Sequence, residues 1–272
     1  MEFVDRFYPA STVPAKDSGT PAGKYTGTYQ PTRHSYRTFE FYLSRPGQIS
    51  IEQGEKALLF TQSGSPPSEY GEVAPGVFAQ LSGPGTPYGN LVFREDEQGT
   101  VDFLCYENLP FFAFERVPWY ATDPFTDGVK NTGLAILLTV LVWPIMAVFR
   151  RVYGATGDER DTALSVYARL VAGAASLLFV VFVLVLLPAV AADTTLIESY
   201  MLDLTVPLAL SAVMTVPVIA VLLSAVAAAF AIPVWRRRYW SVWHRVHYSI
   251  VVIGLFMLAW WVNFWNLFVF RL

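Results

Sequence analysis

The 272-residue chain has one cysteine, Cys105, so no intrachain disulfide is available and any exported part would rest on packing alone. Lysine is scarce, four residues against fifteen arginines, which reads as coding bias rather than chemistry. The chain opens Met1-Glu2-Phe3-Val4-Asp5-Arg6, with acids and without the apolar run of a signal peptide. No nucleophile motif is present: there is no Ser-x-x-Lys, Gly-x-Ser-x-Gly, Lys-Thr-Gly, phosphate loop or His-Glu-x-x-His. Tyr88-Gly89-Asn90 has a Tyr-x-Asn shape but no serine–lysine pair ahead of it, and Lys130-Asn131-Thr132-Gly133 is not a Lys-Thr-Gly. Nor is there the dense basic face of a nucleic-acid binder, so nucleic acid is excluded as a partner.

What the chain has in excess is apolar surface. Mean hydropathy is +0.40 and 54% of residues are hydrophobic, distributed unevenly. Residues 1–128 hold 9 Lys and Arg against 16 Asp and Glu, whereas residues 129–272 hold 10 against 6. An acidic polar half therefore precedes a lipid-embedded half. Four apolar runs fill the second half, at 131–149, 170–192, 204–232 and 246–268, each near the roughly 20 residues that cross a hydrocarbon core. No Asp, Glu, Lys or Arg lies deep in any of them, which argues against ion or proton transport.

Trp235-Arg236-Arg237-Arg238-Tyr239-Trp240-Ser241-Val242-Trp243-His244-Arg245 separates the last two runs with four arginines and no acid. Arginine resists translocation and Trp and Tyr settle at headgroups, so this stretch predicts a cytoplasmic turn. The loop after the first run carries Arg150, Arg151, Arg160 and Arg169, while 193–203 has three acids and no base. Both arginine loops then lie inside, and the amino-terminal domain and Arg271-Leu272 lie outside, in a multi-pass cell-membrane protein. Small residues at Ala168, Ala172 and Ser176, and at Ser224, Ala225, Ala228 and Ala229, predict close contact between the second and third helices.

In the first half, residues 1–23 read as a linker. Over 24–117, strand-like runs at 36–43, 48–52, 57–62, 77–81, 90–94, 101–106 and 111–115 alternate with turns, Glu95-Asp96-Glu97-Gln98-Gly99 joining a hairpin. They predict a small antiparallel β-barrel or half-barrel, giving an α+β membrane protein overall. Residues 118–130 form an aromatic bridge with Trp119 and Tyr120, expected to rest against the outer helix ends at Trp260, Trp261 and Trp265. His244 and His247, spaced i, i+3, form a candidate ligand pair, with headgroup or loop hydrogen bonding the commoner role. Asn263 and Asn266 are candidates for a substrate groove or, more often, for bonds across helices. No cofactor or metal is expected. An acidic tip at Glu95-Asp96-Glu97 is read as solvated.

Gly27-Thr28-Tyr29-Gln30-Pro31-Thr32-Arg33, Leu91-Val92-Phe93-Arg94-Glu95-Asp96, Phe114-Glu115-Arg116-Val117-Pro118-Trp119-Tyr120, Arg238-Tyr239-Trp240-Ser241, Val246-His247-Tyr248 and Asn263-Phe264-Trp265-Asn266-Leu267 together resemble a known arrangement. It is the carboxyl-terminal region of membrane-anchored serine hydrolases of the β-lactamase and penicillin-binding-protein-like superfamily. The family's catalytic serine, lysine and tyrosine have no counterparts here, so no catalytic residue is carried over. The resemblance implies a non-catalytic accessory and anchoring region that holds such a hydrolase, in cis or as a separate chain, at the outer membrane face. The alternative is a self-standing membrane-tethered β-barrel that binds an apolar or cell-wall ligand.

Overall fold

The computed structural model describes residues 22–55, 57–62, 64–153, 162–202 and 206–272. The expected linker up to residue 21, Arg160, and the side chains of Arg150 and Arg151 lie outside the described set. Among the described residues two compact units emerge: one holds those up to His34 together with Leu43–Thr122, the other Ser35–Tyr42 together with Asp123–Leu272.

The first unit is a closed antiparallel barrel of eight strands in sequence order. They are β1 (Gly27–Pro31), β2 (Ile49–Gln53), β3 (Leu58–Gln62), β4 (Ser68–Ala74), β5 (Val77–Ser82), β6 (Leu91–Glu95), β7 (Val101–Tyr106) and β8 (Leu109–Arg116). Closure comes from β1 on β8, with Tyr29 opposite Arg116 and Pro31 opposite Phe114, so among the described residues no strand edge is left to pair with another chain. Alternate residues point inward, as the two-residue strand period requires: Ile49 and Ile51, Leu58 and Phe60, Leu91 and Phe93 are all buried. β4 turns into β5 through Pro75-Gly76, where Gly76 has φ +73°. A side chain there would also meet the Phe93 carbonyl at 3.1 Å.

An eight-stranded barrel has an interior just wide enough for its own side chains or for one small ligand. Here the rings of Tyr25, Tyr29, Phe60, Tyr70, Phe78, Phe93, Tyr106 and Phe114 occupy it, with Ile49, Ile51, Leu58, Leu91, Val101 and Leu104 between them. Phe93 sits at the hub, its ring centroid 4.9 Å from Tyr25, 5.4 Å from Phe78 and 5.8 Å from Tyr29. Burial pushes the Tyr29 phenol up to about 12, and raises Tyr25, Tyr70 and Tyr106 above their ordinary 10.0. Each phenolate would have to form among apolar neighbours. Unfolded tyrosine releases its proton near pH 10, so this contribution to stability is complete below that pH and is lost as pH rises through 12. An alkaline titration is expected to show a late group of tyrosines ionising only as the barrel's near-ultraviolet dichroism disappears. One titration near pH 10, with the dichroism intact, would contradict it.

Two departures from the strand pattern are informative. Residues 36–43 are not a strand but a turn followed by one helical turn, Glu40–Leu43, and as far as Tyr42 they pack in the second unit. Their alternation of Phe39, Phe41 and Leu43 mimics a strand, while Phe39 and Phe41 are spent on helix contacts instead. The runs at 36–43 and elsewhere also leave out β1 and β4, which complete the barrel. β1 ends in Pro31, and β4 carries Gly71 and two glutamates, so both score poorly as strands and form because the barrel needs them.

The second unit contains four helices long and apolar enough to cross a membrane: Asp123–Phe149, Ala163–Ala192, Leu208–Arg236 and Val242–Arg271. They are consistent with a multi-pass membrane protein. The first span begins inside the expected aromatic bridge, because Pro124 falls in the first helical turn, where its missing N–H has no intrahelical partner to lose. It passes through a 3-10 turn at Thr139–Leu141. The second widens to a π turn at Phe182–Leu186, just before Pro188 removes a donor from the ladder. The second and third spans pack closely, as the small residues predict, through buried Ala168, Ala172 and Ser176 on one side and Ser224 on the other. On the third span Ala220 and Ala227 complete the contact, while Ala225 and Ala229 face outward. The first and fourth spans meet at Gly254, where a side chain would lie 2.7 Å from Ile136.

Candidate functional site

The arginine turn shapes one end of the helical unit. The third span ends at Arg236 and the fourth begins at Val242, leaving five residues to reverse direction. Arg238 and Trp240 take left-handed backbone angles, φ 51° and 58°, unusual for residues with side chains. The geometry turns Tyr239 and Trp240 inward, where both are buried, rather than out to headgroups as the sequence suggests. The Trp240 ring packs 5.6 Å from Tyr248 and carries the Arg169 guanidinium 4.4 Å from its centroid. Arg245 lies 5.1 Å from the Trp235 ring, whose Nε1 donates to Ser249 Oγ at 2.9 Å. Arg236, Arg237 and Arg238 are exposed around this core.

Beside the turn is a cleft of 420 Å³ lined by Thr139, Val142, Trp143, Met146 and Ala147 of the first span, Arg169 of the second, and Trp243, His244 and His247 of the fourth. Its inner wall is a fixed hydrogen-bond chain. Trp143 Nε1–H donates to His247 Nδ1 at 3.0 Å, so Nδ1 carries no proton. The proton then sits on Nε2, which donates to Thr139 Oγ1 at 2.8 Å, and that hydroxyl donates to the Ile136 carbonyl at 2.6 Å. His247 is thus a neutral imidazole with both nitrogens engaged. His244 Nδ1 pairs with Ser241 Oγ at 2.7 Å. The two histidines are thus oriented by different partners. Among the described residues no three His, Cys, Asp or Glu side chains gather as a metal site.

At the opposite helix ends, Asn263 and Asn266 bind protein. Asn266 is buried at φ 56°, and its Nδ2 donates to the carbonyls of Tyr36 and Thr38 at 3.0 and 3.2 Å. Its Oδ1 accepts from Arg271, which also reaches Asn263 Oδ1 at 3.4 Å. Phe39 N–H closes the same joint on the Arg271 carbonyl at 3.0 Å. Trp261 and Trp265 are buried here, covered by Tyr42 and, for Trp265, Phe41 at 5.0 Å; Trp260 is partly exposed. Segment 35–42 thus covers these tryptophans together with the end of the expected bridge, where Phe125 meets the Trp260 ring at 6.1 Å and Lys130 lies 5.7 Å from the Trp261 ring. Trp119 and Tyr120 belong to the barrel unit and remain exposed.

The sequence reading passed over Thr139, Trp143 and Arg169 as site residues. Arg169 was counted only as loop charge, although it stands seven residues into an apolar helix; Thr139 and Trp143 stand one turn apart and give no signal until His247 is placed beside them. In the barrel, burial pushes the Cys105 thiol up despite Arg94 nearby, which disfavours a reactive thiolate. No protein-family model, curated protein or solved structure matches this chain.

Proposed function

We propose that the chain is a non-catalytic membrane protein whose four spans hold the barrel at the outer face of a cell membrane, where the outside of the barrel docks a protein partner. The observation that carries this reading is the filled barrel interior: eight aromatic rings occupy the space a small-ligand carrier would keep open. The outer surface instead offers isolated large apolar side chains, Leu81, Phe111, Trp119 and Tyr120. The orientation rests on charge. Arg236, Arg237, Arg238 and Arg245 share one end of the helical unit, whereas the span ends at the other carry Lys130 and Arg271 beside Asp123, Asp127, Asp193 and Glu198. By the positive-inside bias the arginine end is cytoplasmic.

The partner we propose is a serine hydrolase of the β-lactamase-like superfamily, on the resemblance of the chain's own phrases to that family's anchoring region. Because a serine without an activating base is a weak nucleophile, the purified chain is expected neither to hydrolyse a chromogenic β-lactam nor to be acylated by fluorescent penicillin. A photo-crosslinker placed at Phe111 in native membranes is expected to capture a protein that penicillin does label. Stoichiometric acylation of a serine in this chain would overturn the non-catalytic reading. Capture of a protein blind to penicillin would overturn the choice of partner.

A further inference from the structure

We propose that the cleft at the arginine end is a binding site for one anionic phospholipid, its phosphate against Arg169 and His244 and an acyl chain along Val142, Met146 and Trp243. The inference is independent of what the barrel docks. Five of the nine lining residues, Val142, Trp143, Met146, Ala147 and Trp243, are apolar, and the 420 Å³ volume suits a headgroup and the first part of one chain.

Depth places the charged group where a phosphate would be. The second span has 30 residues and is about 45 Å long, some 15 Å more than the hydrocarbon core. With that excess shared between both ends, Arg169, the seventh residue, stands near the headgroup boundary. Its guanidinium is steadied by the Trp240 ring, so less side-chain freedom is lost when an anion arrives. The neutral, doubly bonded His247 forms wall rather than a competing charge. Among the described residues, Arg236, Arg237, Arg238 and Arg245 add positive potential at this end, while at the other Arg37, Lys130 and Arg271 are outnumbered by Glu40, Asp123, Asp127, Asp193 and Glu198. Basic pockets between membrane helices on the cytoplasmic side select anionic headgroups. A free phosphate would share the guanidinium and imidazole chemistry but leave the apolar walls uncovered, which is why the lipid is the better occupant.

The test is native mass spectrometry of the full chain in mild detergent, titrated with phosphatidylglycerol or phosphatidylcholine of identical acyl chains. Both phosphates can reach Arg169, but the choline of phosphatidylcholine sets a cation against Arg169 and the arginine turn. One phosphatidylglycerol should therefore be retained at about tenfold lower concentration than phosphatidylcholine, and Arg169→Gln should shrink that preference several-fold. Ala147→Trp, which fills the slot and leaves the arginine in place, should remove retention of both lipids. Inorganic phosphate should not displace the lipid. Equal retention of both lipids by the unaltered chain, or an undiminished preference in Ala147→Trp, overturns the proposal. Displacement by inorganic phosphate assigns the site to a free anion and overturns it equally. Should Arg169→Gln fail to fold, the Ala147→Trp comparison decides alone.

Discussion

Phe93→Ala should lower the barrel's stability by about 3–5 kcal/mol, the range for truncating a buried aromatic ring. Phe93 is almost fully buried and touches Tyr25, Tyr29 and Phe78, side chains that come from the turn before β1, from β1 and from β5. Its loss removes apolar contact area and leaves a void among rings anchored on different strands, which cannot all move inward. The readout is hydrogen exchange of the amides of β1 through β8 in the detergent-solubilised full chain. Protection there should drop by roughly two to four decades, given about 1.4 kcal/mol per decade. Exchange in the spans should change little, since the ring belongs to the other unit. A drop of less than tenfold would mean the interior adjusts freely and is no solid core.

The second large effect concerns sidedness and is close to all-or-none. With Cys105 replaced by serine, a cysteine at Thr195 is expected to react with an impermeant maleimide in intact cells. One at Arg237 is expected to react only after the membrane is opened. Both positions are exposed and lie at opposite ends of the helical unit. Each arginine costs about 2.5–3.5 kcal/mol at mid-bilayer on insertion scales, so the turn with Arg236, Arg237, Arg238 and Arg245 strongly resists translocation. The reverse labelling pattern would invert the proposed arrangement, and the lipid cleft would then open to the outside.

The fold was legible where its physics is periodic. Four apolar runs and a set of short alternating strands required only counting, and the closed antiparallel barrel and four long helices follow that pattern. Residues 36–43 were illegible because strand-like alternation and a docked aromatic turn use the same letters, and only the position of Trp261 and Trp265 separates them. Pro124 misled in the same way, since proline stiffens a linker and equally opens a helix. The cleft was half legible. His244 and His247 stood out as a pair, but Trp143 and Thr139, which claim both nitrogens of His247, are more than one hundred residues away in the chain. Asn263 and Asn266 drew notice as polar residues among tryptophans, without revealing that Asn266 holds carbonyls some 230 residues earlier.

That last bond has a consequence for the order of events during synthesis. Tyr36 and Thr38 leave the ribosome with the barrel, whereas Asn266 follows them some 230 residues later. At roughly 5–20 residues per second the interval is on the order of 10–45 s. Throughout most of it the connection between β1 and β2 still awaits Trp261 and Trp265, the rings that Tyr42 and Phe41 meet, although the strands on either side already have their neighbours. The barrel's first loop is therefore a waiting segment, settled only when the fourth span has been inserted. Quality control that reads exposed aromatic side chains would see the newborn chain as unfinished until the turn at Asn266 is in place.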